Sequence, residues 1–511
     1  METKKLCCAD VLVVGGGLAA MYAAVHAAKA GQKVVLLSKK KAGLSGASLV
    51  SMSVHRFAPH AQTHRDEYIR NFMASGKGIN DPGLLRKLVM EGARQVEALR
   101  EYGLPLHFKT MDFKGEPEAY LACCAPKSGR LLTCPMRHYI ETKTGVAIMD
   151  GYMAVDLTLQ DGQVKGLIAE KDQLLYAIEA KAVVLATGGA GYIYESTSNT
   201  SDLTGDGYAM AVRAGLELRD MEFVQFYPYR VYTPVQFDIF PDIFAYGARF
   251  LNEKGERFME AYPKKEQENR DVLARCMFRQ AEVALDLSGC DPVYLEKECP
   301  NIFEACHKFR GRRFLARPVA HFMMGGIPLK ADCATGIRGL YCCGEVSGGL
   351  HGANRMAGSA LTETSVFGPA AGIRAAEFAA GCKAVGAARD TFDYDVPEPG
   401  REDVTEVRQA LRKMMWSSVS LMRTESALGE ACREIERLEQ RLLQTRPADL
   451  RRWFECRNML VTAKCVADSA MLRNESRGAH AREDYPAEDP AWTGSIYSNG
   501  KSLRFVREED R

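Results

Sequence analysis

The run from Asp10 to Ser38 constrains the fold more than any other part of the chain. Asp10 to Val14 is a short buried-strand pattern that runs into Gly15-Gly16-Gly17. Leu18-Ala19-Ala20 then opens an alanine-rich helix ending near Gly31, and Lys33 to Ser38 is a second apolar strand. Strand, glycine turn, helix and strand in that order make a βαβ unit, the start of a Rossmann-like α/β sheet. The glycines let the backbone approach a pyrophosphate, and the helix N-terminus offers free N–H groups and a positive dipole end. A lone glycine triplet could be a structural turn, but between these two strands it points to a dinucleotide. The second strand ends in Ser38-Lys39-Lys40 where an acidic residue usually takes the ribose hydroxyls. That weakens an NAD reading, and the lysines alone would suit NADP.

At 511 residues the chain holds two or three domains and needs neither disulfides nor structural metal for a core. Its net charge of +2, from 67 basic and 65 acidic residues, gives no footprint for nucleic acid or a membrane surface. Among 16 cysteines no CxxC occurs, so no zinc, iron–sulfur or haem-attachment motif is carried. The apolar N-terminal run is broken by the glycine triplet, against a secretory or membrane-spanning segment. A soluble, cytoplasmic protein with reduced thiols is expected.

Further strand-to-glycine turns follow. Ala182 to Leu185 runs into Thr187-Gly188-Gly189-Ala190-Gly191, Thr204-Gly205-Asp206-Gly207 opens a helix through about Arg213, and Leu340 to Cys343 turns at Gly344-Glu345. One sheet is therefore built from separated segments, and the sequence between them is inserted. The expected division is a dinucleotide domain in two parts, 1–223 and 318–400, an inserted domain at 224–317, and a helical domain with a short tail at 401–511. In the last, Val407, Leu411, Met414 and Met415 have core spacing, while Glu430 to Arg441 reads as a solvated helix face.

The segment Leu350 to Leu361, LHGANRMAGSAL, places Arg355 in a turn-rich run with little charge around it. A buried guanidinium of this kind calls for an anion.

In order along the chain stand GGGLAA, ATGGAG, TSN, TGDG, EFVQFYP, NEKGERFM, NRDVLAR, HFMMGGI, GLYCCGEVSGGLHGANRMAGSAL and ESRGAHAREDYP. The sequence resembles the flavoprotein family of succinate dehydrogenase, fumarate reductase and L-aspartate oxidase, from about Ala9 to Pro486. The resemblance implies FAD on a Rossmann-like domain, an inserted α+β capping domain and a C-terminal helical domain. The FAD contacts it implies are Gly15, Gly16, Gly17, Ala19, Lys39, Ser45, Gly46, Ala47, Ser48, Asp206, Glu345 and Leu361. Leu44 to Ser48 lacks the histidine that tethers flavin covalently in membrane-bound members, so the resemblance implies non-covalent FAD. Arg270 matches the arginine that exchanges a proton with substrate, while Arg355 and His321 match the pair that grips a substrate carboxylate. Without the motif, Arg270 could equally pair with Asp271 or Glu268, and His321 beside Phe322 could be a core histidine. A guanidinium is an unusual acid, with a pKa normally above about 12.

The chain departs from the family at the far end of the pocket. A substrate-binding histidine in QFHPT is replaced by Tyr227, and a Thr-Glu pair that holds the second carboxylate falls on Phe240-Pro241. A second buried carboxylate would cost several kcal/mol there. The expectation is reduction of a 2-enoate monocarboxylate with an apolar or aromatic tail. The alternatives are an amino-acid oxidase like L-aspartate oxidase, or the flavoprotein subunit of a dicarboxylate dehydrogenase complex. Reduction would need an iron–sulfur or other electron-transfer partner, since this chain has no cluster motif.

Overall fold

The computed structural model describes all residues except 59, 114, 115, 240, 383–393, 399 and 511. Its main sheet follows from the apolar strands read above. Lys4–Val14 lies at the centre, flanked in parallel by Val34–Ser38 on one side and Leu174–Leu185 on the other. Ala147–Asp150 extends the first side, again in parallel. On the other side Leu340–Cys342 pairs in parallel with Leu174–Leu185, whose antiparallel neighbour is Gln163–Lys171. Every residue of Val34–Ser38 is buried, as a parallel strand covered on both faces requires.

The layer over this sheet is helical. Leu18–Lys29 buries nine of its twelve residues, mostly alanines, against the Ser359–Gly381 helix. The two backbones come close because Gly372 has no side chain; a Cβ there would lie 2.1 Å from the Ala23 carbonyl oxygen. Alanine on one helix and glycine on the other thus hold the first and last parts of the dinucleotide domain together.

The inserted segment forms its own five-stranded sheet, in the order Phe237–Asp238, Val224–Thr233, Arg313–Met323, Val283–Asp286, Arg249–Asn252. The Arg270–Phe278 helix packs on its two longest strands. The expected boundary at 317 falls inside the Arg313–Met323 strand, which continues to pair with Val224–Thr233 up to Met323. A strand ends where its ladder ends, and this one carries His321. A small antiparallel sheet, His55–Phe57 with Glu116–Cys123 and His107–Phe113, comes in sequence between the Val34–Ser38 and Ala147–Asp150 strands of the main sheet.

Three helices, Thr405–Ser418, Glu425–Leu443 and Leu450–Leu472, make the C-terminal domain. Val407, Leu411 and Met415 are buried and Met414 is partly so. The second helix is capped by Thr424, which accepts from the Ala427 N–H at 3.2 Å. It buries Leu428, Ala431, Ile435, Leu438 and Leu442 along one stripe and leaves its charges to solvent. The tail returns as a hairpin, Gly494–Ser498 with Leu503–Arg507, paired to Leu218–Arg219. Among the described residues no helix is long and apolar enough to cross a membrane.

Candidate active site

A single cavity of about 530 Å³ runs from the glycine turn to the arginines. Its wall includes Gly15, Gly16, Gly17, Ala19, Lys39, Ser45, Gly46, Ala47, Ser48, Asp206, Glu345 and Leu361, together with Tyr227, Arg270, His321 and Arg355. Residues up to 346 positions apart in sequence thus share one space. Phe240 lies outside the described residues.

The first end is built for a dinucleotide. Gly15 has φ +135°, and a Cβ on it would sit 2.1 Å from the Ala186 carbonyl oxygen. Only glycine allows the turn to lie this close to the neighbouring strand end, leaving the turn's backbone open to the cavity. At the helix start the Leu18 N–H donates to Ser48 Oγ at 3.1 Å. Lys39 Nζ contacts Asp206 Oδ2 and Thr204 Oγ1 at 2.8 Å each and Glu455 Oε1 at 3.1 Å. Lys40 Nζ reaches Ser201 Oγ at 3.2 Å and Asp202 at 3.6 Å. Both ammonium groups are matched by carboxylates, so the lysines do not offer the free positive site an NADP phosphate would need. Burial pushes the Glu345 carboxyl up to about 7, and it accepts from the Met323 N–H at 3.0 Å.

The other end is a cluster of cations. Arg355 is 6% exposed, its Nη2 donates to Gln225 Oε1 at 2.8 Å, and its guanidinium lies 4.5 Å from the Phe322 ring centre. Its Nε is buried with no partner. Burial, and then the charge of Arg270, pull the Arg355 guanidinium down to about 9. Arg270 is the first residue of its helix; its Nη1 points at the same Gln225 oxygen at 3.4 Å, and the group lies 5.0 Å from the Tyr227 ring centre. The acids beside it in sequence are engaged elsewhere. Asp271 pairs with Arg275 at 3.0 Å, and Glu268 accepts from the Lys264 N–H at 3.1 Å. Among the described residues neither Arg270 nor Arg355 has a carboxylate in ion-pair contact.

His321 enters through a fault in the ladder. Gln225 pairs with Phe322 and Phe226 with Ala320, which leaves His321 as the extra residue of a bulge. Ser198 Oγ sits 2.8 Å from its Nδ1, and Asn199 Nδ2 donates to its carbonyl at 2.9 Å. Burial, then Arg355 and Arg270, hold the imidazole well below its usual pKa, so it is neutral at pH 7. A Ser198 hydroxyl donating to Nδ1 rather than to the Ala320 carbonyl would leave the ring proton on Nε2. Tyr227 stacks on this ring, centroids 4.8 Å apart, and sends its hydroxyl to the Ile239 carbonyl at 2.7 Å. Burial pushes that phenol up, so it stays neutral.

Gln225, Ser198 and Asn199 stand in the sequence only as letters of EFVQFYP and TSN. Their roles depend on the bulge and on the approach of the Leu350–Leu361 loop, neither visible in one sequence. The expectation of a purely aromatic and apolar far end needs correction. Pro241 lines the cavity, but Asp238, Asp242, Lys109 and Lys127 do so as well. A tight turn at Pro241–Tyr246 brings Asp242 to the opening beside the two lysines, and these three side chains are exposed. Asp238 is paired with Arg230 at 2.8 Å.

A glycine cradle sharing one cavity with two guanidiniums that meet no carboxylate among the described residues fits a dinucleotide-dependent oxidoreductase. Residues 10–361 match the FAD binding domain family, and residues 408–502 match the fumarate reductase flavoprotein C-terminal family. The chain is 33% identical to an uncharacterised FAD-dependent oxidoreductase of Methanocaldococcus jannaschii, over 98% of this chain and 97% of that one. It is 31% identical to one subunit of the CoM/CoB fumarate reductase of Methanothermobacter marburgensis, over 98% of each. Among solved structures it superposes on an E. coli quinol fumarate reductase chain with TM-score 0.87 and 26% identity, covering 99% of this chain and 97% of that one. The chain belongs to the flavoprotein family of succinate dehydrogenase, fumarate reductase and L-aspartate oxidase, and its cofactor is FAD.

Proposed function

We propose that the protein reduces the double bond of a 2-enoate monocarboxylate whose tail is apolar, aromatic or heteroaromatic. One observation carries the reading: among the described residues, buried Arg355 has a bare Nε and lies beside a second guanidinium that also lacks a carboxylate. Two such cations are stable together only with an anion between or beside them. A substrate carboxylate there accepts from Arg355 and from His321 Nε2–H. Charge-assisted hydrogen bonds of this kind contribute roughly 1.5–3 kcal/mol each.

FAD bound here and reduced by an external electron-transfer partner would supply the hydride. Arg270 holds the proton for the other alkene carbon, and Gln225 fixes its distance from Arg355 by accepting from both. Tyr227 presents a ring face to the pocket, since its hydroxyl is taken by Ile239. A tail lying along that face gains area burial and stacking. Lys109 and Lys127 are solvated at the opening, where a short diacid pinned at Arg355 gains little from them.

The test is turnover with reduced viologen across fumarate, 3-phenylacrylate and an imidazolyl acrylate. Aryl acrylates are expected to react and fumarate to be poor. Arg270→Ala is expected to lose roughly 10²–10⁴-fold in rate while the flavin spectrum persists. Efficient fumarate reduction with inert aryl acrylates, or hydrogen peroxide formation from an L-amino acid, would sink the reading.

A further inference from the structure

We propose that the C-terminal helical domain is part of the FAD site, with Glu455 and Asn458 acting as positioning residues for Lys39 and Asp206. Glu455, Asn458 and Thr462 lie three and four residues apart on the Leu450–Leu472 helix and so share one face. That face meets the nucleotide end of the cavity. Glu455 Oε1 holds Lys39 at 3.1 Å, and its Oε2 is held by Arg408 at 3.2 Å. Asn458 Nδ2 donates to Asp206 Oδ1 at 2.9 Å, and its own oxygen accepts from Arg213 at 2.9 Å. Thr462 Oγ1 occupies the space a Cβ on Gly205 would need, 2.3 Å away, just before Asp206. Lys39 and Asp206 line the cavity with side chains only 12% and 11% exposed.

The physical role of the helix is to divide one ammonium between two carboxylates. With Glu455 present, Lys39 does not collapse onto Asp206 alone, and Asn458 and Thr204 keep the Asp206 carboxylate oriented. Lys39 follows the second strand, where the ribose of a dinucleotide lies. The effect therefore falls on the adenosine half of FAD. The domain that supplies it stands outside residues 10–361, the part matching the FAD binding family.

Flavin titrations of the full-length apoprotein, followed by fluorescence quenching, would compare FAD with FMN, which lacks the adenosine half. Glu455→Gln and Asn458→Leu are each expected to raise the FAD dissociation constant by roughly tenfold, the scale of one charge-assisted hydrogen bond. FMN binding should hold constant. In a Lys39→Met background Glu455→Gln should cause no further loss, because its partner is gone. Unchanged FAD affinity, an equal loss for FAD and FMN, or additive losses in the double variant would overturn the proposal. Should Glu455→Gln fail to fold, Glu455→Asp, which keeps the charge on a shorter stem, is read by the same three criteria.

Discussion

On the proposed reading, Arg355 depends on its substrate for its balance of charge. Its guanidinium has Gln225 on one nitrogen, the Phe322 ring beneath it and nothing on Nε. Such a group needs its proton to bind a carboxylate, and in the free protein burial and Arg270 bring its pKa down to about 9. The sign follows directly: the charge is complete at pH 7 and is lost as pH rises through about 9. Affinity for a carboxylate such as 3-phenylacrylate, read from the perturbed flavin spectrum, should be flat near neutrality. It should fall by about tenfold per pH unit above that point. Affinity unchanged at high pH would contradict so low a guanidinium pKa. Arg270, His321 and Arg355 were singled out in the sequence by the motifs NRDVLAR, HFMMGGI and LHGANRMAGSAL, and the fold brings all three to one cavity. Gln225 was not, because a buried amide reveals its job only when two guanidiniums are seen converging on it.

Elements carry these residues by features a linear reading compresses. The Arg313–Met323 strand was split by the expected boundary at 317, since the alternation of buried residues does not announce that the ladder continues to His321. The βαβ unit was clear because glycine positions and apolar runs are local signals. Gly344-Glu345 was equally plain as a turn, but its energetics were not. Burial raises the Glu345 carboxyl to about 7, so the folded chain retains a proton that the unfolded chain has already released in the mildly acidic range. Stability from this group is therefore full below the ordinary carboxylate pKa and is lost as pH rises through about 7. Glu345→Gln in the FAD-free protein should raise Tm at pH 8 and leave it unchanged at pH 5. Equal shifts at both pH values would contradict this.

At the scale of the whole molecule, the end of the first dinucleotide-domain part, at Asp220 and Glu222, and the C-terminal segment are joined through a buried charge network. Arg473 is fully buried, contacts Glu222 at 2.7 Å and Glu475 at 3.0 Å, and sits close to the strand that carries Gln225. Removing one member leaves the others as unpaired buried charges. Arg473→Met should cost about 3–5 kcal/mol in denaturant unfolding, and a loss below about 1 kcal/mol, the scale of a surface pair, would contradict that. The three-part architecture was readable from the order of motifs, whereas this network was not, because arginines in a C-terminal helical segment look solvated until their partners at 220–222 are placed beside them. The polar opening at Asp242, Lys109 and Lys127 was not legible for a similar reason: matching the Thr-Glu pair to Phe240-Pro241 does not locate the turn that follows. The central claim is that the buried guanidinium of Arg355 binds the substrate carboxylate with His321. Its most direct measurement is a crystal structure of the FAD-loaded protein with 3-phenylacrylate. The account predicts a carboxylate oxygen within hydrogen-bond distance of Arg355 Nε or Nη and of His321 Nε2, with the ring along Tyr227. A carboxylate seated instead at Lys109 and Lys127, with Arg355 Nε still bare, would contradict it.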